Sequence, residues 1–229
     1  MAIHQPQYIP WLPYFLKVAE SDVFVLLDSV EFQKNGLQNR NQLKTAAGPL
    51  WLTVPVKQKL GQRICDVVID AGSDWRRKHW LTIQQNYRRA PAFERYADEL
   101  AGLLAREWTS LNDLNIEMFR TMMRWLGIDR PVRRSSEMQS RGQGSELIVN
   151  LCREAGATTY VSGAGGRAYL DEAAFTQAGV ELVYREPVVP APYPQQHPAT
   201  GFAAGLSALD IILNCGPEWR TFLPAGGVA

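Results

Sequence analysis

Apolar and polar positions divide the chain into two stretches of α/β character with a helical stretch between them. Ala2–His4 reads as the end of a short first strand. The segment His4–Pro13 carries Pro6, Pro10 and Pro13 and cannot be regular helix, because each proline lacks an N–H and fixes its own φ. Tyr14–Ala19 suits a short helix, with Pro13 tolerated at its first position. Val23–Leu27 is a continuous, partly β-branched apolar run, the pattern of a strand buried on both faces. Strand, polar turn, helix, strand is a βαβ opening, and a loop from Asp28 to Lys44 follows its second strand.

Further along, Leu50–Val54, closed by Pro55, and Cys65–Ile69 are strand candidates. Ser73 can cap a helix over Asp74–Arg89, which Pro91 ends. Helices over Ala92–Arg106 and Leu111–Leu126 follow. In the second, Leu111, Leu114, Ile116, Met118, Met122 and Trp125 form a mostly one-sided apolar stripe, and Gly127 stops it. Residues 73–127 thus predict a helical block inserted between α/β parts. Residues 128–145 are polar and short of apolar positions, which predicts a linker or mobile loop. Glu146–Ala155 (helix), Thr159–Val161 (strand), Asp171–Ala178 (helix) and Val180–Val183 (strand) then restore the alternation, and Leu206–Leu213 makes a last short helix. The predicted fold is α/β with a mostly parallel sheet. Its parts are an amino-terminal half (1–72), the helical insert (73–127), the linker (128–145) and a carboxy-terminal half (146–229), together one compact domain.

Composition narrows the partners. With 24 Lys and Arg against 23 Asp and Glu the net charge is +1, so no overall field points to nucleic acid or to an anionic membrane. Cys65, Cys152 and Cys215 are widely spaced with no CxxC pair, which argues for reduced thiols in a cytoplasmic protein. No apolar run is long enough to span a bilayer, so membrane insertion is not expected.

Ligands of open α/β sheets sit beyond the carboxyl ends of the strands. His4 stands at one such end and can steady charge on a phosphate as a donor or an imidazolium. Gln5, Gln7 and Tyr8 add directed hydrogen bonds in the same turn. The loop after the second strand holds Asp28, Gln33, Lys34, Asn39, Arg40, Asn41 and Lys44, a set rich in anion-binding donors. His79 and Asn86 lie two turns apart on one helix face and can turn into the site, whereas Arg77, Arg88 and Arg89 read as a solvated face. Basic and aromatic residues interleave on this helix, as at nucleic-acid backbones, but the neutral charge balance disfavours that reading. Ser162, Gly163, Gly165, Gly166 and Arg167, with Tyr169 beside them, join a strand to a helix, where small residues let backbone N–H groups approach an anion. Among Tyr193, Gln195, Ser207, Asp210 and Asn214, Asp210 is the candidate base or amine partner, beside an ordinary structural role. The three histidines are far apart and no HxxxH or CxxC spacing occurs, so no protein metal site is predicted.

The stretches "HQPQYIPWLPYF", "SDVFVLLDSVEFQKNGLQNRNQLK", "WLTVPV", "WRRKHWLTIQQNYRRAP", "TTYVSGAGGRAYLDEAAF" and "LSALDIILNCG" run in order across nearly the whole chain. On these the sequence resembles the WbqC-like family of bacterial proteins. The resemblance implies a cytoplasmic protein associated with surface-polysaccharide pathways, in a family some of whose members are described as glycine transferases. Pro13 stands where the family pattern leads one to expect glycine, and Gly165–Gly166 where small residues, often alanine, are usual. The opening, with His4 in a proline-bearing turn before "DVFVLLDSVEF", is also similar to that of pantothenate synthetases and other nucleotidyl-transferring enzymes. That similarity implies a Rossmann-like (HUP-type) start with the histidine against nucleotide phosphates. Only the first histidine of an HxGH pair is present, and Gln7 occupies the second position.

The expected function is an acyl- or aminoacyl-transferring enzyme, an ATP-dependent amide ligase acting on an amino sugar or similar amine. ATP with Mg²⁺ would serve it, with His4, Lys34 and Arg40 on the phosphates and Asp210 orienting the amine. The expected partners are small carboxylate and amine substrates, and a homodimer is compatible with the sequence. Two alternatives stand beside it: a transferase drawing on a preactivated donor such as an acyl thioester or aminoacyl-tRNA, and a non-catalytic protein binding a nucleotide or glycan precursor.

Overall fold

In the computed structural model, which describes residues 1–225, five parallel strands form the central sheet. β1 (Ala2–His4) and β2 (Phe24–Leu26) pair with Ala2 opposite Phe24 and His4 opposite Leu26, and α1 (Leu12–Ala19) crosses between them. Successive side chains alternate across these strands: Ala2, Phe24 and Leu26 face one apolar core, Ile3 and Val25 the other. Burial on both faces is why Val23–Leu27 is apolar throughout.

After β2 the chain leaves the sheet. β3 (Arg40–Thr45) and β4 (Gly48–Thr53) form an antiparallel hairpin, and β5 (Val56–Lys57) pairs with β6 (Val68–Ile69). The hairpin corrects the expectation of a loop as far as Lys44. Its tight turn uses Gly48 at φ 100°, a conformation open to glycine. α2 (Trp75–Tyr87), α3 (Phe93–Ala105) and α4 (Leu111–Leu126) follow. α4 spans the predicted residues and Gly127 closes it at φ 65°, while Ser110, accepting from the Asp113 N–H, caps its start. Ser73 caps nothing, since α2 begins at Trp75 with Asp74 in the cap position.

Residues 128–145 bring a second correction. They contain β7 (Val132–Arg134), the edge strand of the sheet, with Val132 opposite Phe24. A three-residue edge strand has one neighbour and half-exposed side chains, so it needs no apolar run. α5 (Gly144–Glu154), β8 (Thr159–Gly163), α6 (Glu172–Gln177), β9 (Glu181–Arg185) and α7 (Ala208–Cys215) complete the chain. β8 pairs with β1 on the side away from β2, and β9 extends the sheet beyond it. The order is therefore β7–β2–β1–β8–β9. α1, α7 and the helices of 73–127 bury the larger core on one face, while α5 and α6 bury the smaller on the other. The helical block is thus packed into the α/β body.

Candidate functional site at the switch point of the sheet

The sheet grows outward from β1 in one direction through β2 and in the other through β8. Where the direction reverses, the connections after β1 and β8 diverge and leave a crevice at the carboxyl edge. A cavity of about 820 Å³ opens there, within the size range of small-molecule sites. His4 and Gln5 at the end of β1 and Ser162 and Gly163 at the end of β8 line it between α1 and the start of α5.

His4 is held from two sides. Its ring lies 4.8 Å from the Tyr14 ring, and its Nδ1 is 3.2 Å from the Gln5 carbonyl oxygen, which also accepts from the Tyr14 hydroxyl at 3.0 Å. A carbonyl only accepts, so Nδ1 carries the proton and Nε2 is a lone-pair acceptor. Burial, and then the charge of Lys17, pull the imidazole pKa to about 4 against the opposing Gln5 bond. His4 is therefore neutral at physiological pH, so of the two forms expected of it, donor or imidazolium, the imidazolium is not the resting one.

Lys17 is a site residue that sequence reasoning missed. It sits on α1 in the same cavity and donates from Nζ to the Ile3 carbonyl at 3.0 Å. Burial lowers its pKa to about 8. The available signal was a lone cation in a helix whose Leu12, Pro13, Tyr14, Phe15, Leu16 and Val18 are all buried.

Of the other expected residues, Gln5, Gln33, Ser162, Gly163 and Tyr169 line the cavity. Gln5 Oε1 accepts from Gln38 Nε2 at 2.8 Å, and Gln38 Oε1 accepts from the Gln33 N–H at 2.9 Å, so a chain of amides clips the loop after β2 to the turn after β1. The glycine turn has a packing cause. A Cβ on Gly166 would collide with Ser162 Oγ and lie 2.9 Å from Leu170, whereas one on Gly163 or Gly165 would meet nothing within 4 Å. The turn itself is 3₁₀ over Ala164–Ala168, and the expected helix follows it as α6 with Asp171 as its cap.

The remaining candidates are engaged outside the cavity. Asp28 is fully buried and accepts from Asn112 Nδ2 (2.8 Å), Ser135 Oγ (3.1 Å), the Ser136 N–H and hydroxyl (2.8 Å each) and Arg134 Nε (3.2 Å). Burial alone would raise its pKa, but these bonds prevail and the shift is downward. Its lone pairs are saturated, and it clamps β2 to β7 and α4. Asp210, also fully buried, accepts from the Tyr87 hydroxyl (2.6 Å), the Tyr193 hydroxyl (2.7 Å) and Gln195 Nε2 (2.8 Å), and burial raises its pKa. Lys44 joins this cluster, its N–H donating to the Tyr87 hydroxyl and its ammonium to the Gly201 carbonyl. The cluster fastens the connection between β9 and α7 and lines no part of the cavity.

Tyr8 and His79 pair in the core, hydroxyl to Nδ1 at 2.8 Å, and burial draws the His79 pKa to about 4. Asn41 donates to the Ile9 carbonyl, Asn39 to the Val54 carbonyl and Asn86 to the Thr82 carbonyl. Gln7 is buried with its Oε1 unpartnered. Arg40 lies over the Trp51 ring at 4.5 Å, Arg167 lies over the Tyr184 ring at 4.2 Å, and Lys34 is exposed. Among the described residues no group of three or more His, Cys, Asp and Glu side chains could hold a metal ion, and no helix is long and apolar enough to cross a membrane.

The model of the WbqC-like protein family matches residues 5–221. The chain is 35% identical over 226 residues to Rv1507c, an uncharacterized protein of Mycobacterium tuberculosis (strain ATCC 25618 / H37Rv), and the match covers 97% of this chain and 96% of that relative. No solved structure matches it. With its family pattern running from the turn after β1 past α7, the chain belongs to the WbqC-like protein family.

Proposed function

We propose that this protein is an amide-forming ligase of surface-polysaccharide biosynthesis, activating a carboxylate with ATP in the switch-point cleft and passing the acyl group to an amine such as an amino sugar. The observation that carries the reading is the position of the cleft, at the reversal of a β7–β2–β1–β8–β9 parallel sheet with a histidine at the end of β1. Sheets of this order bind nucleotides at that point. The family's association with surface polysaccharides supports the choice of acceptor.

In this reading a carboxylate oxygen bonds to the α-phosphorus of ATP as pyrophosphate leaves. The amine nitrogen then bonds to the acyl carbon as AMP leaves and the amine proton is lost. His4, neutral with Nε2 as acceptor, takes a hydrogen bond from the incoming amine and so orients its lone pair. That role replaces the one first expected of Asp210, which is enclosed by its own three donors. Mg²⁺ would be carried by the substrate phosphates, with little demand on protein ligands. A donor on tRNA would need a basic surface beside the cleft, and α2 contributes none of the residues that line it.

The test is thermal stability with ATP–Mg²⁺ for wild type and Gly163→Val. A ligand selective for the folded state raises the melting temperature by mass action. Gly163 has φ −70° and ψ 161°, which valine adopts readily, and its new side chain would stand in open space at the cleft wall where the ligand would lie. Stabilisation of the wild type that Gly163→Val lacks is the expected result. An unshifted wild type at millimolar ATP sinks the ligase.

A further inference from the structure

One cation in the cleft has no counter-charge. Lys17 spends one donor on the Ile3 carbonyl and forms no ion pair among the described residues. The titratable and charged groups that share the cavity are His4 from β1, Tyr14 from α1 itself, Glu20 just past the end of α1, Tyr160 and Tyr169 from β8 and the turn beyond it, and Arg185 and Glu186 at the end of β9. His4 is neutral, and both carboxylates are exposed and beyond 4.0 Å of the ammonium. An ammonium withdrawn from water without an anion is costly. Groups kept in that condition inside a cleft are candidates for function.

We propose that Lys17 anchors a phosphate group of the cleft's ligand, which supplies the missing counter-charge. The proposal rests on the nucleotide reading for the rest of the ligand, but the anchor itself needs only the phosphate. It also carries a proton signature. Burial holds Lys17 near a pKa of about 8, and a phosphate dianion against it drives the amine back to its charged form. A phosphomonoester has its second pKa near about 6 and is fully ionised at a pH of about 8.5. Any proton taken up on binding at that pH therefore belongs to the protein.

The experiment is isothermal titration calorimetry at a pH of about 8.5, in two buffers of different protonation enthalpy. The ligands are AMP, methyl phosphate and adenosine, and the proteins are wild type, Lys17→Met and Lys17→Arg, each checked for folding by circular dichroism. Wild type is expected to bind AMP and methyl phosphate with uptake of most of a proton. Lys17→Met should lose roughly 10- to 100-fold in affinity for both, as hydrogen bonds to charged groups do, while its affinity for adenosine stays unchanged. Lys17→Arg, permanently charged, should keep binding and lose the proton uptake. Equal AMP affinity in wild type and Lys17→Met, or binding to wild type without proton uptake, overturns the anchor and leaves the nucleotide reading in place. Binding of methyl phosphate but not AMP does the reverse. Failure of both ligands to bind overturns both. If Lys17→Met does not fold, the proton count on wild type and Lys17→Arg decides.

Discussion

At the end of β2, Asp28 takes hydrogen bonds from α4, from β7 and from the turn after β7, so any change there is felt by three elements together. Asp28→Asn places an amide among donors and leaves Arg134 without its buried partner. We expect a loss of roughly 3–5 kcal/mol in urea denaturation. His79 gives a pH prediction of definite sign. Its folded pKa, about 4, lies below the unfolded value of 6.5, so the unfolded state binds more protons between the two. Stability is then intact above pH 6.5 and falls as the pH drops toward about 4, by up to about 3 kcal/mol. Urea midpoints measured across that window should slope less for His79→Gln than for wild type. At this scale the sequence was partly readable. His4, Ser162 and Gly163 could be placed beside the cleft from the sequence because their position at strand ends follows from chain order. Lys17 was passed over because a single lysine on a short helix reads as a solvated charge until the helix is known to be buried. Asp28 stood as a binding candidate and Asp210 as a base because carboxylates in a polar loop and on an apolar helix carry no mark of their internal donors.

Among the elements, the glycines of the turn after β8 separate packing from function. Gly166→Ala should lower stability on the order of 1–3 kcal/mol, as overpacking does, since Ser162 and Leu170 leave no room for a methyl group. Gly163→Val, with open space before it, should melt within a few degrees of wild type and still lose the ligand. A pair of thermal melts, with and without ATP–Mg²⁺, distinguishes the two. The long amphipathic helix α4 was legible to the residue, because its apolar stripe and its closing glycine agree. β7 and β3 were not, whereas β4 fell where Leu50–Val54 was expected as a strand. The first two are half-exposed or polar, and only their partners make them strands.

Over the whole molecule, the larger core draws on β1, β2, α1, the helices of 73–127 and α7. Loss of tertiary packing and of helix should therefore follow one denaturation curve, so near- and far-ultraviolet circular dichroism are expected to coincide. A separate early transition for the helical block would contradict this. The central pair of the sheet has a different consequence. β1 and β8 are joined in space but stand far apart in the sequence, and the exposed stretch Arg141–Gly144 falls between them. A chain cut there would yield one fragment holding His4 and Lys17 and another holding Ser162, Gly163 and Arg185, each with half a cleft. Recovery of ligand binding on mixing would make this protein a split reporter, silent in either piece and restored only where the two meet.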